Sequence, residues 1–298
     1  MNDVKNRIRT ICRSSLRPIA QMVRSALTPP AIPIEFDWHE IHGGPAKGCH
    51  AILPGKTVIA EMITSGNYDP VCTKLIRELV GSGDNCLDIG GHYGYFTLSL
   101  AKLCEPGQVH TFDPVVSHAD RIRQAADRSG LVNVTVHQVA VAAESGVMTL
   151  RYADSGGDDS MAYLELYGGV DSDAAREHYD GFATTQVRTV TLDEIDVPMP
   201  RFIKIDAEGA EVHIIRGGVK MLAETKPRLL IELHGITEAL QAAEILMDLN
   251  YQALLLSEQK TTLPVLWVHR DDSEAVECVQ RALGHAPTLI FDRAGNRR

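Results

Sequence analysis

Phe202-Ile-Lys-Ile205, running straight into Asp206-Ala-Glu208-Gly209-Ala-Glu211, reads as a short apolar strand that ends in acid and hands over to a helical pattern. A strand buried on both faces is a near-continuous apolar run, and the carboxyl ends of such strands are where open α/β sheets place their ligands. Carboxylates at that point are costly unless a cation, a metal ion or a proton transfer uses them.

The same rhythm repeats on both sides of this stretch. Cys86-Leu-Asp88-Ile89, Gln108 to Asp113 and Asn133 to Val139 are strand-like, while Tyr95 to Leu103 and Val115 to Ser129 carry helical periodicity. After Asp206 come a helix from Ala210 to Leu222, a strand from Arg228 to His234 and a helix from Thr237 to Leu249. Two final strands, Tyr251 to Leu255 and Leu263 to His269, have only a short connection between them, which predicts an antiparallel hairpin closing an otherwise parallel sheet. The alternation as a whole predicts an α/β chain with a doubly wound sheet and helices on both faces. Two segments break the pattern. Residues 153–185 are a polar insertion rich in Gly, Asp and Ser (Asp154-Ser-Gly-Gly-Asp-Asp-Ser160, for example), as a functional lid or a disordered loop would be. Pro33 to Leu79 is mixed, with a helix from Pro70 to Leu79.

Within residues 1–28, Lys5, Arg7, Arg9, Arg13, Arg17 and Arg24 are set against Asp3, and Val4, Ile8, Ile11, Ile19, Met22, Val23 and Leu27 recur near helical spacing. No continuous apolar stretch is present, so the segment reads as neither a signal peptide nor a transmembrane helix. A basic amphipathic helix of this kind suits peripheral contact with an anionic membrane, a partner protein or the chain's own acidic domain. Pro29, Pro30 and Pro33 end it, giving an N-terminal extension over 1–32 and one catalytic domain over 33–298. The 298 residues carry a net charge of −10, which argues against nucleic acid as a partner, and are 44% hydrophobic, enough for a substantial core. The six cysteines (Cys12, Cys49, Cys72, Cys86, Cys104, Cys278) show no metal-ligand spacing, and a reduced, cytoplasmic protein is expected.

Asp88-Ile-Gly90-Gly91-His92-Tyr93-Gly94 is a strand end, a glycine turn and a helix start. Glycines let the backbone approach a ligand, and a helix N-terminus offers amide donors. The spacing is not the GxGxxG of dinucleotide sites, and Asp88 at the strand end would repel a pyrophosphate. A ligand with an ammonium and a sulfonium would be attracted, which favours S-adenosylmethionine over NAD. Asp113 ends the next strand, where an acid commonly accepts hydrogen bonds from ribose hydroxyls.

These motifs, with Phe112-Asp-Pro114, Val190-Thr-Leu-Asp193, Ile203-Lys-Ile-Asp-Ala-Glu-Gly-Ala-Glu211, Arg216-Gly217 and Pro227-Arg-Leu-Leu-Ile-Glu-Leu-His234, occur in an order that resembles the FkbM family of S-adenosylmethionine-dependent methyltransferases, over roughly residues 60 to 255. The resemblance implies a Rossmann-like class I methyltransferase fold, a seven-stranded, mostly parallel sheet with an antiparallel last strand. It implies S-adenosylmethionine as cofactor and methyl transfer to a hydroxyl of a sugar, glycan or natural-product small molecule. Carried over, it puts the methionine end of the cofactor near Asp88, Gly90 and Gly94, with Asp206 at the methyl end. The ribose falls at Asp113 and Pro114, the adenine against Gln138, Val139 and Ala140, and the methionine carboxylate within reach of Ser65 and Tyr68. Two departures are present: the family commonly has Glu-Pro where this chain has Asp113-Pro114, and the insertion has no fixed family pattern, so the acceptor is not carried over.

An alcohol needs its proton removed as it attacks, by a base or with the help of a metal. Glu232 and His234 share one face of a strand by the two-residue period, and the neighbouring strand ends at Asp206, so the three could converge. His234 as general base, oriented by Asp206 or Glu232, is the favoured arrangement. A divalent ion held by Asp206, Glu232 and His234 is the less favoured one. Glu208 and Glu211 read as first-turn acids that suit the helix dipole, and Glu232 could pair with Lys204. Other functions open to the sequence are an NAD-dependent oxidoreductase, against which Asp88 and the missing GxGxxG count, and a non-catalytic S-adenosylmethionine-binding module.

Overall fold

A computed structural model of the chain describes residues 35–153, 162–165, 167, 182–256, 263–284 and 288–291. The chain divides into two units, Met1–Pro33 and Ile34–Arg298, and the described residues all lie in the second. The basic segment 1–28 and most of the polar insertion are therefore outside the described residues.

The apolar runs singled out in the sequence become the strands β3 (Cys86–Ile89), β4 (Val109–Phe112), β5 (Val134–His137), β10 (Phe202–Ile205), β11 (Arg228–Leu233), β12 (Tyr251–Leu255) and β13 (Leu263–His269). With an edge strand β14 (Thr288–Phe291) they form one sheet in the order β14-β12-β13-β11-β10-β3-β4-β5. The neighbours β5, β4, β3, β10 and β11 pair in parallel, whereas β13 runs antiparallel to both β11 and β12. Except for the eighth strand at the edge, this is the expected seven-stranded, mostly parallel sheet with its reversed final strand. Each residue of β3 and β10 is buried, as strands covered on both faces must be.

Helices α1 (Val58–Ser65), α2 (Pro70–Leu79), α3 (Tyr95–Cys104) and α4 (Val116–Arg128) precede β5, and α5 (Glu211–Arg216), α6 (Val219–Thr225), α7 (Ile236–Asp248) and α8 (Ser273–Leu283) follow β10. Two apolar clusters, one on each face of the sheet, make up most of the core. Leu75, Tyr95, Leu98, Phe202 and Leu230 belong to one, and Leu87, Phe112, Ile203, Ile215 and Trp267 to the other. Asp69 caps α2 through the Cys72 N–H, with Pro70 following it at the first helical turn, where its missing N–H costs nothing. The single helix expected from Ala210 to Leu222 is instead two, broken at Gly217-Gly218. A side chain at Gly217 would lie 2.2 Å from the Ala142 carbonyl oxygen, so the backbones meet where only glycine fits. A hairpin of β1 (Phe36–Glu40) and β2 (His50–Pro54) lies in the mixed N-terminal part of the domain.

The insertion is not a loop throughout. Short strands β6 (Ala140–Val141) and β8 (Tyr163–Leu164), with the longer β7 (Gly146–Ala153) and β9 (Phe182–Val190), form a second sheet in the order β6-β9-β7-β8. Its apolar face carries Leu150, Leu164 and Val187. Among the described residues, no helix is long and apolar enough to cross a membrane.

Candidate active site

The carboxyl ends of β3, β4, β10 and β11 open into a cavity of about 420 Å³, in the range of small-molecule sites. The glycine turn after β3 is pressed against the end of β10. Gly90 has φ +87°, and a Cβ there would lie 1.8 Å from the Asp206 carbonyl oxygen. Gly90 therefore brings the turn and the acid at the end of β10 to one wall of the cavity.

Asp88 is not on that wall. Its register partners are Lys204 on β10 and Thr111 on β4, which puts it on the sheet face covered by α3. It is fully buried and accepts a 2.6 Å hydrogen bond from the Thr97 hydroxyl. Burial pushes its carboxyl above the usual range, against the opposing pull of Lys204. Asp88 thus belongs to a buried network behind the glycine turn and is not among the residues lining the cavity. The period of two accounts for this placement, because Ile89, one residue on, faces the cavity side.

Asp206 does line the cavity, with Glu208, Glu232 and His234. Lys204 Nζ lies 3.2 Å from Asp206 Oδ2. Burial works against the charged carboxylate, but Lys204 and then His234 outweigh it and hold Asp206 below the ordinary range. His234 is held most closely by Glu211, an acid the sequence reading did not pair with it. Its Nδ1 is 2.9 Å from Oε1 of Glu211, while its Nε2 faces Glu208 Oε2 at 3.6 Å and Asp206 Oδ1 at 3.9 Å. Glu211 is fully buried, and the same oxygen accepts from the N–H groups of Ala207 and Gly209. Burial opposes the imidazolium, yet Glu211, with Glu208 and Asp206 behind it, raises His234 to about 9. Burial, only partly offset by His234, raises Glu208 to about 7.

Glu208 and Glu211 are thus site residues that the sequence reading assigned to the helix start. Glu208 has φ +48° and Gly209 φ +98°. This left-handed turn carries the chain from β10 into α5 and leaves both acids beside His234. The Glu208-Gly209 pair was the available signal, since a glycine in that position marks a tight turn.

At the other end of the cavity Asp113 is 3% exposed and heavily engaged. Its carboxylate accepts from the N–H groups of His92 and Val115, each at 2.9 Å, and lies 3.1 Å from His118 Nδ1 through both oxygens. Burial disfavours the charge, but His118 and the two N–H groups hold the carboxyl below its usual range. Of the residues expected at the cofactor, Pro114, Ala140 and Tyr68 line the cavity, whereas Gln138, Val139, Gly94 and Ser65 are not among its lining residues. Gln138 is exposed, and the Ser65 hydroxyl donates to the Met62 carbonyl within its own helix. Leu150, Tyr163 and Leu164 of the second sheet supply a further wall.

The donor atoms of Asp206, Glu208 and His234 approach within 4.8 Å of one another, a grouping in which Glu208 stands where Glu232 was expected. A carboxylate faces each ring nitrogen of His234, so a protonated ring would be a counter-cation within this cluster.

Hexuronic acid methyltransferase AglP of Haloferax volcanii is 23% identical over 206 residues, which are 67% of this chain and 72% of that protein. A solved FkbM methyltransferase from Methylobacillus flagellatus KT is similar at 18% identity and a TM-score of 0.45, covering 64% of this chain. This chain spans 44% of that protein's length. A SAM-dependent O-methyltransferase from Thermotoga maritima is similar at 11% identity and a TM-score of 0.41, with 75% of this chain and 78% of that one covered. Residues 88–253 match the Methyltransferase FkbM domain, a span that starts at Asp88 and takes in the glycine turn, Asp113, the Asp206–Glu211 turn and His234. As this match covers more than half of the sequence, the chain belongs to the FkbM methyltransferase family.

Proposed function

We propose that this methyltransferase uses S-adenosylmethionine and methylates a hydroxyl of a sugar, glycan or natural-product small molecule. The observation that carries the reading is the charge of the cavity. Asp113, Asp206, Glu208 and Glu232 line it, and no Lys or Arg is among its described lining residues. Such a wall suits a cofactor with a sulfonium and an ammonium, and it is a poor place for the pyrophosphate of NAD.

The Gly90 turn, Asp206, Pro114 and Ala140 are the residues that would hold the cofactor, with Tyr68 at the same wall. When bound, S-adenosylmethionine supplies a methyl group on a sulfonium whose bonding pair leaves with sulfur as a neutral thioether. The chain's part is to hold donor and acceptor in line, exclude water and receive the acceptor's proton. Asp206, Glu208 and His234 converge on one part of the cavity, where that last task would fall. The apolar residues of the second sheet, Leu150 and Leu164, complete the enclosure. That a relative acts on a hexuronic acid supports a sugar acceptor.

Calorimetry with S-adenosylmethionine, S-adenosylhomocysteine and NAD tests the cofactor. Binding of NAD alone would sink the reading. A screen of hydroxylated sugars, lipids and polyketides, scored by the mass gain of one methyl, identifies the acceptor. Cofactor binding without a methylated product in any screen would favour the non-catalytic alternative.

A further inference from the structure

An imidazole carries one N–H when neutral and two when charged. His234 presents Nδ1 to Glu211 Oε1 at 2.9 Å and Nε2 to Glu208 Oε2 and Asp206 Oδ1 at 3.6 and 3.9 Å. Glu211 Oε1 already accepts two backbone N–H groups, so it faces Nδ1 as an acceptor and Nδ1 holds a hydrogen. A neutral ring would then point its Nε2 lone pair at two carboxylates, a repulsive arrangement that a second proton turns into attraction. With the Glu208 and Asp206 carboxylates ionised, His234 is therefore a cation, and a cation takes no proton from an acceptor.

The acids around it differ. Asp206 is paired with Lys204, and Glu211 is closed off from the cavity. Glu208 lines the cavity with its side chain 24% exposed and is turned there by its left-handed backbone. We propose that Glu208 is the general base of this methyltransferase and that His234 is a positioning residue, a fixed cation that holds the Glu208 carboxylate toward the acceptor hydroxyl. The inference rests on the transfer to a hydroxyl argued above. In the step, the acceptor O–H bond breaks with its electron pair kept by oxygen, which forms the new bond to the methyl carbon. The proton forms an O–H bond on the Glu208 carboxylate and passes to water through its exposed side. A base whose carboxyl is raised to about 7 is matched to neutral pH.

The charged and titratable groups facing this pair are Lys204 and Asp206 from β10 and its end, Glu211 from α5 and Glu232 from β11. Tyr68 and His92 face Asp206 from the N-terminal wall and the glycine turn.

The test begins with nitrogen NMR of histidine-labelled protein, with H234Q to assign the signal. The expected result is a His234 ring protonated on both nitrogens at neutral pH. A neutral ring there overturns the proposal, whatever the acceptor proves to be. The second arm uses the acceptor found by the methyl screen. E208Q should lower kcat by about 10²–10⁴-fold while S-adenosylhomocysteine affinity stays within about twofold. H234Q should lose less, and the rising limb of its kcat–pH profile should move to higher pH, because the carboxylate has lost its cation. E208D, which keeps a carboxylate, should retain that limb. Equal loss in E208Q and H234Q without movement of the limb would overturn the proposal. Failure of the wild-type protein to bind S-adenosylhomocysteine would instead count against the cofactor reading and leave the NMR result standing.

Discussion

Lys204 Nζ stands 3.2 Å from Asp206 Oδ2, joining the inner residue of β10 to the acid at its end, and register sets the same lysine beside buried Asp88. It also lies over the Phe96 ring, 4.9 Å from the centroid. One ammonium thus serves a carboxylate on the cavity wall and another behind it; burial opposes its charge, but Asp206 and then Asp88 outweigh that and raise its pKa. Removing one partner of a buried ion pair costs about 3–5 kcal/mol because a charge is left uncompensated. Asp206 retains some water contact, so Lys204→Met should cost somewhat less, about 2–4 kcal/mol in urea unfolding at neutral pH. An unchanged midpoint would show that the lysine is not what makes Asp206 tolerable.

Gly90→Ala probes the other side of the same wall. The new Cβ would sit 1.8 Å from the Asp206 carbonyl oxygen at a φ of +87°. Backbone strain alone is worth about 1–3 kcal/mol, and the clash must push the turn away from β10. We expect S-adenosylhomocysteine affinity to fall by about tenfold or more, the equivalent of about 1.4 kcal/mol. Wild-type affinity in a folded variant would mean that the contact does not shape the cofactor site.

How much of this could be read from the sequence depended on what decides each feature. The central sheet was legible because its strands are buried on both faces and carry unbroken apolar runs such as Leu229-Leu-Ile231. The second sheet was not, because its strands flank a stretch of Gly, Asp and Ser whose composition is that of a loop. Asp206 and His234 were legible as strand-end residues. The partner of His234 was not, because it depends on a left-handed turn at Glu208-Gly209 that brings Glu211 within 2.9 Å. The side of the sheet on which Asp88 lies was not legible for a related reason: a strand end names a place, and a shift of one residue decides which face is meant.

His234 links the site to stability through pH. Its folded value of about 9 lies above the ordinary 6.5, so the imidazolium stabilises the folded state fully below about pH 6.5 and loses that effect as pH rises through about 9. The difference in melting temperature between wild type and H234Q should therefore be largest near pH 6 and shrink toward pH 9.5. A difference that grows with pH would mean that the ring is neutral in the folded protein.

Asp113→Asn separates anchoring from charge at the far end of the cavity. The carboxylate accepts from the His92 and Val115 N–H groups and lies against His118 Nδ1. An amide of the same size has one accepting oxygen, so one of the two backbone N–H groups would meet an NH₂ group instead. Hydrogen bonds to a charged group are worth about 1.5–3 kcal/mol, and a loss of that order is expected in unfolding at pH 7. The Asp113 carboxyl is held below its usual value, so its contribution is present above about pH 3.9 and is lost as pH falls through the folded value. The gap between wild type and D113N should accordingly close in acid. Because His92 belongs to the glycine turn and Val115 opens the way into α4, the variant should also loosen both segments and weaken S-adenosylhomocysteine binding. Full stability with weakened binding would place the carboxylate on the ligand instead, as an acceptor for the ribose hydroxyls.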